Sequence, residues 1–139
     1  MIGVLTSTDS AIGGPTSTMA FIDHLAIPVR DLAASRQFYE AALAPFGVEV
    51  TEEERAVGFH LGDVDFFVAE GEPAAPMHIA FGAPDRATVE AFHAAALAAG
   101  GRDNGSPGLR PRYHADYFGG YVLDPDGNNV EAVCHRPED

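Results

Sequence analysis

Lysine is absent from this chain. All eight cations are arginines, set against 21 carboxylates, and the formal net charge is −13 at pH 7. A nucleic acid or an anionic membrane surface needs a basic face to neutralise its phosphates, so this balance argues against both as partners. Cysteine is nearly absent as well. The single thiol, Cys134, excludes an intrachain disulfide. It suits a reducing, cytoplasmic setting and reads as a small buried hydrophobe. No apolar run approaches the roughly 20 residues of a membrane-spanning helix.

What is present is the composition of a globular domain: 46% hydrophobic and 21% charged residues in 139. That length supports one domain with a real core and is short for two. Residues 1–18 are rich in Ser, Thr and Gly without a basic start, and read as a disordered leader, not a signal peptide. Met19 would serve as a natural start. A single domain is expected over residues 19–139.

Phe21–Val29 reads as a strand. Asp31 follows as a helix N-cap, its carboxylate placed to accept from the first turn. Leu32, Ser35, Phe38, Tyr39, Ala42 and Leu43 recur at helical spacing, and Pro45 with Gly47 stops the helix. Val48–Thr51, Ala56–Leu61 and Val64–Ala69 read as short strands, with a linker over residues 71–76.

The plan then restarts at an offset of 54 residues. His24 returns as His78, Asp31 as Asp85, Phe38 as Phe92, Leu43 as Leu97 and Gly47 as Gly101. Strand histidine, helix cap, core positions and helix-ending glycine all keep one register, which marks two copies of a βαβββ unit. The first spans about residues 20–71 and the second about 77–136. The second is about ten residues longer through Arg102–Asp116, where Gly105, Pro107, Gly108 and Pro111 predict a loop ending in Arg112, Tyr113 and His114. Its last strands are expected over Tyr117–Leu123 and Asn129–His135. The turn chemistry of Asp124-Pro125-Asp126-Gly127-Asn128 joins them as a hairpin.

Alternation along a strand puts His24 opposite Leu25 and Ile27, His78 opposite Ile79 and Phe81, and Glu131 opposite Val130 and Ala132. If the helices cover the aliphatic faces, the three polar residues project to the other side. Taken alone, Glu131 is a solvent-facing residue on a half-exposed strand, and a lone strand histidine is an ordinary hydrogen-bonded one. Placed around a pseudo-twofold axis, the three would instead share one cavity. Two imidazoles and a carboxylate with open positions suit Fe(II), Mn(II) or Zn(II). Among the other histidines, His93 reads as solvated on its helix, His135 as reaching the rim, and His60 has no assigned role.

In this order, Asp23-His24, a helix with Phe38-Tyr39, His78, and the Asp124–Asn128 turn with Glu131 resemble the vicinal oxygen chelate superfamily. That superfamily includes glyoxalase I, bleomycin-resistance proteins and extradiol dioxygenases, and the likeness runs from Phe21 to about Arg136. It implies an α+β fold of paired βαβββ modules in an incomplete mixed barrel, around a divalent ion that holds vicinal oxygens of a substrate. Glyoxalase I draws a second carboxylate from the last strand of its first module. Here Phe67 is the preferred equivalent of Glu131, whereas a slip of two residues would offer Asp65 as a fourth ligand. A His, His, Glu set looks more like the extradiol dioxygenases, in which a tyrosine ten residues before the glutamate supports it, as Tyr121 would here.

The expected function is a metal-dependent enzyme, dioxygenase-like or lyase/isomerase-like, acting on a small oxygenated compound. Its ion (Fe, Mn, Zn or Ni) would sit on His24, His78 and Glu131. Tyr121 and His114 are the candidate proton carriers. Phe67, Arg112, Tyr113 and Tyr117 would line the substrate site, Tyr113 and Tyr117 having ordinary packing as their alternative role. A homodimer is expected, because open sheet edges must be covered. The competing readings are a metal-free ligand-sequestering protein of the bleomycin-resistance type and a scaffold whose site is vestigial.

Overall fold

The computed structural model describes residues 20–138. The expected leader and Met19 lie outside them. The elements run β1 (His24–Val29), α1 (Leu32–Leu43), a short 3-10 turn (Ala44–Phe46), β2 (Glu49–Glu53), β3 (Ala56–Leu61) and β4 (Val64–Glu70). The second unit is β5 (His78–Gly82), α2 (Arg86–Ala98), β6 (Arg102–Leu109), β7 (Phe118–Leu123) and β8 (Asn129–Cys134). Each unit folds its strands into a mixed four-stranded sheet, ordered β1-β4-β3-β2 and β5-β8-β7-β6. The chain is thus an α+β protein of two βαβββ modules whose sheets remain open.

Both helices begin as their sequences dictate. Asp31 accepts the Ala34 N–H at 3.1 Å, and Asp85 accepts the Thr88 N–H at 2.8 Å and its hydroxyl at 2.6 Å. Gly47 takes a left-handed φ of 82° after the Pro45 turn. After α2 the left-handed residue is Gly100, at φ 101°, and Gly101 serves a different need. A Cβ there would lie 2.5 Å from Val122 and 2.6 Å from Phe38, so only glycine lets the two modules close at this point.

The aliphatic strand faces and the helices share one core. Phe38, Tyr39 and Phe92 are fully buried, α1 packs on α2, and the Phe66 and Phe81 rings meet edge to face across the module boundary at 5.3 Å. The Asp124–Asn128 turn clasps that boundary. Asp124 Oδ1 accepts the backbone N–H of Asp126 (2.9 Å) and of Asn128 (2.8 Å), and Oδ2 accepts the Asn128 amide and the buried Tyr39 hydroxyl from α1. Asn128 Oδ1 in turn accepts the Met77 N–H at 2.9 Å, tying the turn to the start of β5. Arg30 donates to Asp126 from its backbone and its guanidinium. A motif that reads as a plain hairpin turn is therefore also the fastening between the modules.

Two expectations are corrected. Arg102–Leu109 is a strand, not part of a loop. It lies at the sheet edge, where Pro107 has no ladder bond to lose, and its register shifts between Asp103 and Gly105 and again between Gly105 and Gly108 absorb the glycines. The loop proper is residues 110–117. His93 is buried, not solvated, because β6 covers it: its Nε2 lies 3.0 Å from Asp103 Oδ1. No helix among the described residues is long and apolar enough to cross a membrane.

Candidate functional site

Each sheet turns one face to the helices and leaves the other open. On the second sheet, Ile79, Val130, Ala132 and Val122 point to the core, so alternation sends His78, Glu131 and Tyr121 to the open face. Tyr121 is the register partner of Glu131. Glu131 is 1% exposed, whereas the His78 side chain is 55% exposed. A carboxylate buried that deeply needs partners, since leaving it bare costs several kcal/mol. It has two: His78 Nε2 stands 2.8 Å from Oε1, and the Tyr117 hydroxyl donates to Oε2.

Gly119 makes the room. A Cβ on it would lie 3.1 Å from Glu131 Oε2, 3.2 Å from Tyr117 and 3.5 Å from the Tyr121 hydroxyl. Burial foremost, and then the bond to Glu131, holds the Tyr117 phenol well above its ordinary range. Tyr121 is raised too, by burial and then by the Glu131 charge. Both therefore keep their protons at neutral pH, and Tyr117 donates its own to Glu131. Gly119 carries no sequence signal of this role beyond its placement two residues before Tyr121.

The 110–117 loop stands behind this cluster. Arg112 donates to the Tyr113 hydroxyl at 2.8 Å and lies over that ring, and the Tyr113 ring is 4.7 Å from Tyr117. His114 Nε2 is 2.9 Å from His135 Nδ1, with both rings packed on Tyr117. Tyr117 alone of these four loop residues reaches Glu131.

His24 occupies the corresponding place on the first sheet. Leu25, Ile27, Phe66 and Val68 face the core, and His24, Asp65, Phe67 and His60 face outward. The His24 side chain is 63% exposed, and its Nδ1 is 2.8 Å from Asp23 Oδ1, which leaves Nε2 available. A carboxylate on the far nitrogen is the usual support of a metal-ligating histidine. In register, Ala26 stands against Phe67 as Ala80 stands against Glu131, and His24 against Asp65 as His78 against Asn129. Phe67 is therefore the positional counterpart of Glu131. Asp65, two rungs away on the same face, is engaged by His60.

His24 is not gathered with His78 and Glu131 inside one chain. Among the described residues no three His, Cys, Asp or Glu side chains cluster closely enough to hold an ion. The sequence places the two histidines at matching positions, but it does not tell whether the two sheets face a common space. Here they are separate sheets joined through their helices. The spacing of one donor pair nonetheless suits a metal. Adjacent ligands on an ion with bonds of about 2.1 Å lie roughly 3 Å apart, and His78 Nε2 and Glu131 Oε1 are 2.8 Å apart.

A family model described as the Glyoxalase/Bleomycin resistance protein/Dioxygenase superfamily matches residues 21–132. Among solved structures, a glyoxalase/bleomycin resistance protein from Albidiferax ferrireducens is 28% identical, with a TM-score of 0.75 over 85% of this chain and 100% of that one. A glyoxalase/bleomycin resistance protein/dioxygenase family enzyme from Burkholderia phytofirmans is 19% identical (TM-score 0.67, 84% and 100% covered). Lactoylglutathione lyase from Agrobacterium tumefaciens is 21% identical (TM-score 0.60, 86% and 94% covered). These last two likenesses concern the fold alone. Against curated proteins the chain has no match.

Proposed function

Because the chain belongs to the Glyoxalase/Bleomycin resistance protein/Dioxygenase superfamily, we propose that it is a divalent-metal-dependent enzyme of dioxygenase-like or lyase/isomerase-like type, acting on a small oxygenated substrate. The observation that carries this reading is the His78–Glu131 pair: a nitrogen and a buried carboxylate oxygen 2.8 Å apart on an open sheet face. His24 is the third ligand, contributed by a second copy. In a symmetric homodimer the open face of each first sheet meets the open face of the partner's second sheet, giving two equivalent sites. Each chain then gives one ligand to one site and two to the other.

When bound, the ion supplies Lewis acidity to vicinal oxygens of the substrate. The chain's own groups do the rest. The Tyr117 hydroxyl fixes the orientation of Glu131, and the protonated Tyr121 phenol donates to negative charge that develops on a substrate oxygen. Phe67, placed where a further carboxylate would stand, offers an apolar wall in the place of a fourth ligand. His114 acts at one remove, through the ring of Tyr117 that it touches. Arg112 and Tyr113 shape the rim.

A metal-free, ligand-sequestering role draws support from one feature: Tyr117 and His78 already satisfy Glu131 without an ion. Metal analysis separates the two readings. Protein purified without an affinity tag should carry close to one divalent ion per chain, and His24→Ala, His78→Ala and Glu131→Ala should each lose most of it. Full occupancy in all three variants sinks the proposed ligand set, and an oxygen-uptake screen of the metal-loaded protein then divides dioxygenase from lyase or isomerase chemistry.

A further inference from the structure

Arg110 opens the loop that follows β6, and neither the ligand set nor the two phenols account for its side chain. Its backbone is held at both polar groups: the N–H donates to the Tyr117 carbonyl at 2.8 Å, and the carbonyl accepts the Tyr113 N–H at 3.0 Å. The side chain folds back over β6. Nη2 donates to the Ser106 carbonyl at 2.7 Å, and the guanidinium lies over the Tyr121 ring, with Cζ 5.3 Å from its centroid. Because Tyr121 projects from the open face of the second sheet, Arg110 stands on that face too.

Two glycines clear its path. Gly105 is the register partner of Tyr121, and a Cβ on it would lie 2.9 Å from Tyr121 Cδ1 and 3.4 Å from Arg110 Nη2. A Cβ on Gly108 would lie 3.1 Å from Nη1. The residues that read as loop chemistry thus leave a trough on the edge strand for one phenol and one cation. What the cation lacks is a counter-ion. Arg30, Arg36, Arg55 and Arg86 each have a carboxylate within 4.0 Å. Among the described residues Arg110 has none, although the chain carries 21 carboxylates. Its own bonds go to the neutral carbonyls of Ser106 and, at 3.4 Å, Leu109. A guanidinium has five N–H groups, so this half-buried one keeps donors for an anion.

The Tyr121 ring also joins Arg110 to the candidate ligands. Its centroid is 6.3 Å from that of the His78 ring, and its hydroxyl belongs to the cluster around Glu131. Guanidinium and imidazole are therefore no further apart than 6.3 Å and 5.3 Å laid end to end. An ion, a chelating group and a short acid chain fill such a gap. We propose that Arg110 selects the substrate: it holds a carboxylate of the molecule whose vicinal oxygens lie at His78 and Glu131. One guanidinium matches the single charge of a carboxylate, and its planar fork takes both oxygens. The substrate class is then a small oxygenated acid, not a neutral compound. The oxygen end of this assignment rests on the metal-chelate reading above; the acid end rests on Arg110 alone.

Two titrations test it. In the metal-free protein, the Arg110 Nε–H resonance, identified by its loss in Arg110→Gln, should shift and saturate with succinate and stay in place with succinamide. No response to succinate overturns the anion site without any metal, and an equal response to inorganic phosphate overturns the choice of a carboxylate. In the Zn(II)-loaded protein, calorimetry compares acetohydroxamate with succinic monohydroxamate, the same chelating oxygens with a carboxylate added. Wild type should prefer the acid by about tenfold, the usual effect of a charge-assisted pair, and Arg110→Gln should bring the two close to parity. Gly108→Ala, whose Cβ displaces the guanidinium but leaves its charge, should lose the preference too. A preference unchanged in Arg110→Gln overturns the assignment. If neither hydroxamate binds wild type, the chelating site proposed above fails, and the succinate titration alone decides for Arg110.

Discussion

Glu131 is the residue on which the account turns, because burial leaves it no option but partners. Removing Tyr117's hydroxyl takes away one of two and leaves the carboxylate held by His78 alone. Tyr117→Phe should therefore weaken metal affinity by about 10- to 100-fold, the usual effect of losing a group that supports a ligand. Isothermal titration with Zn(II) checks this, and an affinity equal to wild type would show that the phenol does not orient the site. His114 lies one contact further out, on an exposed loop. His114→Ala should keep its metal and shift stability by less than about 1 kcal/mol; chemical denaturation with metal analysis reads both, and loss of metal would make His114 a ligand. The six histidines illustrate what residue-level reading can reach. Strand parity places His24 and His78 on open faces. It says nothing of His60, whose partner Asp65 is five residues away across a hairpin, nor of His93, which is covered by a strand that composition disguises.

Among the elements, the 54-residue repeat was legible because each landmark answers a local physical need. Asp31 and Asp85 both cap helices, and Phe38 and Phe92 both fill the core. Strand β6 was not legible. Gly105, Pro107 and Gly108 are loop chemistry in isolation, and only an edge position with shifted register lets a strand contain them. The Asp124 turn was legible as a turn but not as a clasp, since nothing local announces that Tyr39 arrives from the other module. Tyr39→Phe should cost about 1–2 kcal/mol by urea denaturation, the range for leaving a buried charged acceptor one donor short. Its pH dependence has a definite sign. Burial first, and the Asp124 charge second, raises the Tyr39 phenol in the folded protein, so its contribution is fully present below the unfolded value near pH 10 and falls as pH climbs above it. Wild type should lose stability more steeply above about pH 10 than Tyr39→Phe does. Parallel alkaline profiles would contradict that linkage.

At the scale of the whole molecule, the open sheet faces motivate the proposed second copy, and the proposed ligand set requires it. Each chain carries a net charge of −13, so two copies repel at long range, and salt within the physiological range should strengthen their association by screening. Light scattering across a salt series checks this, and a monomer at high micromolar concentration under every condition would end the dimer proposal. The composition reads correctly as acidic and globular, yet no pattern in one chain announces the proposed meeting of His24 with His78 and Glu131 across a subunit boundary. That arrangement is the central claim, and metal content of mixed variants tests it most directly. His24→Ala and Glu131→Ala chains, unfolded and refolded together in equal amounts, should recover about a quarter of the wild-type metal, because half the dimers are mixed and each mixed dimer restores one of two sites. Metal no higher than in the separate variants would contradict a site shared between chains.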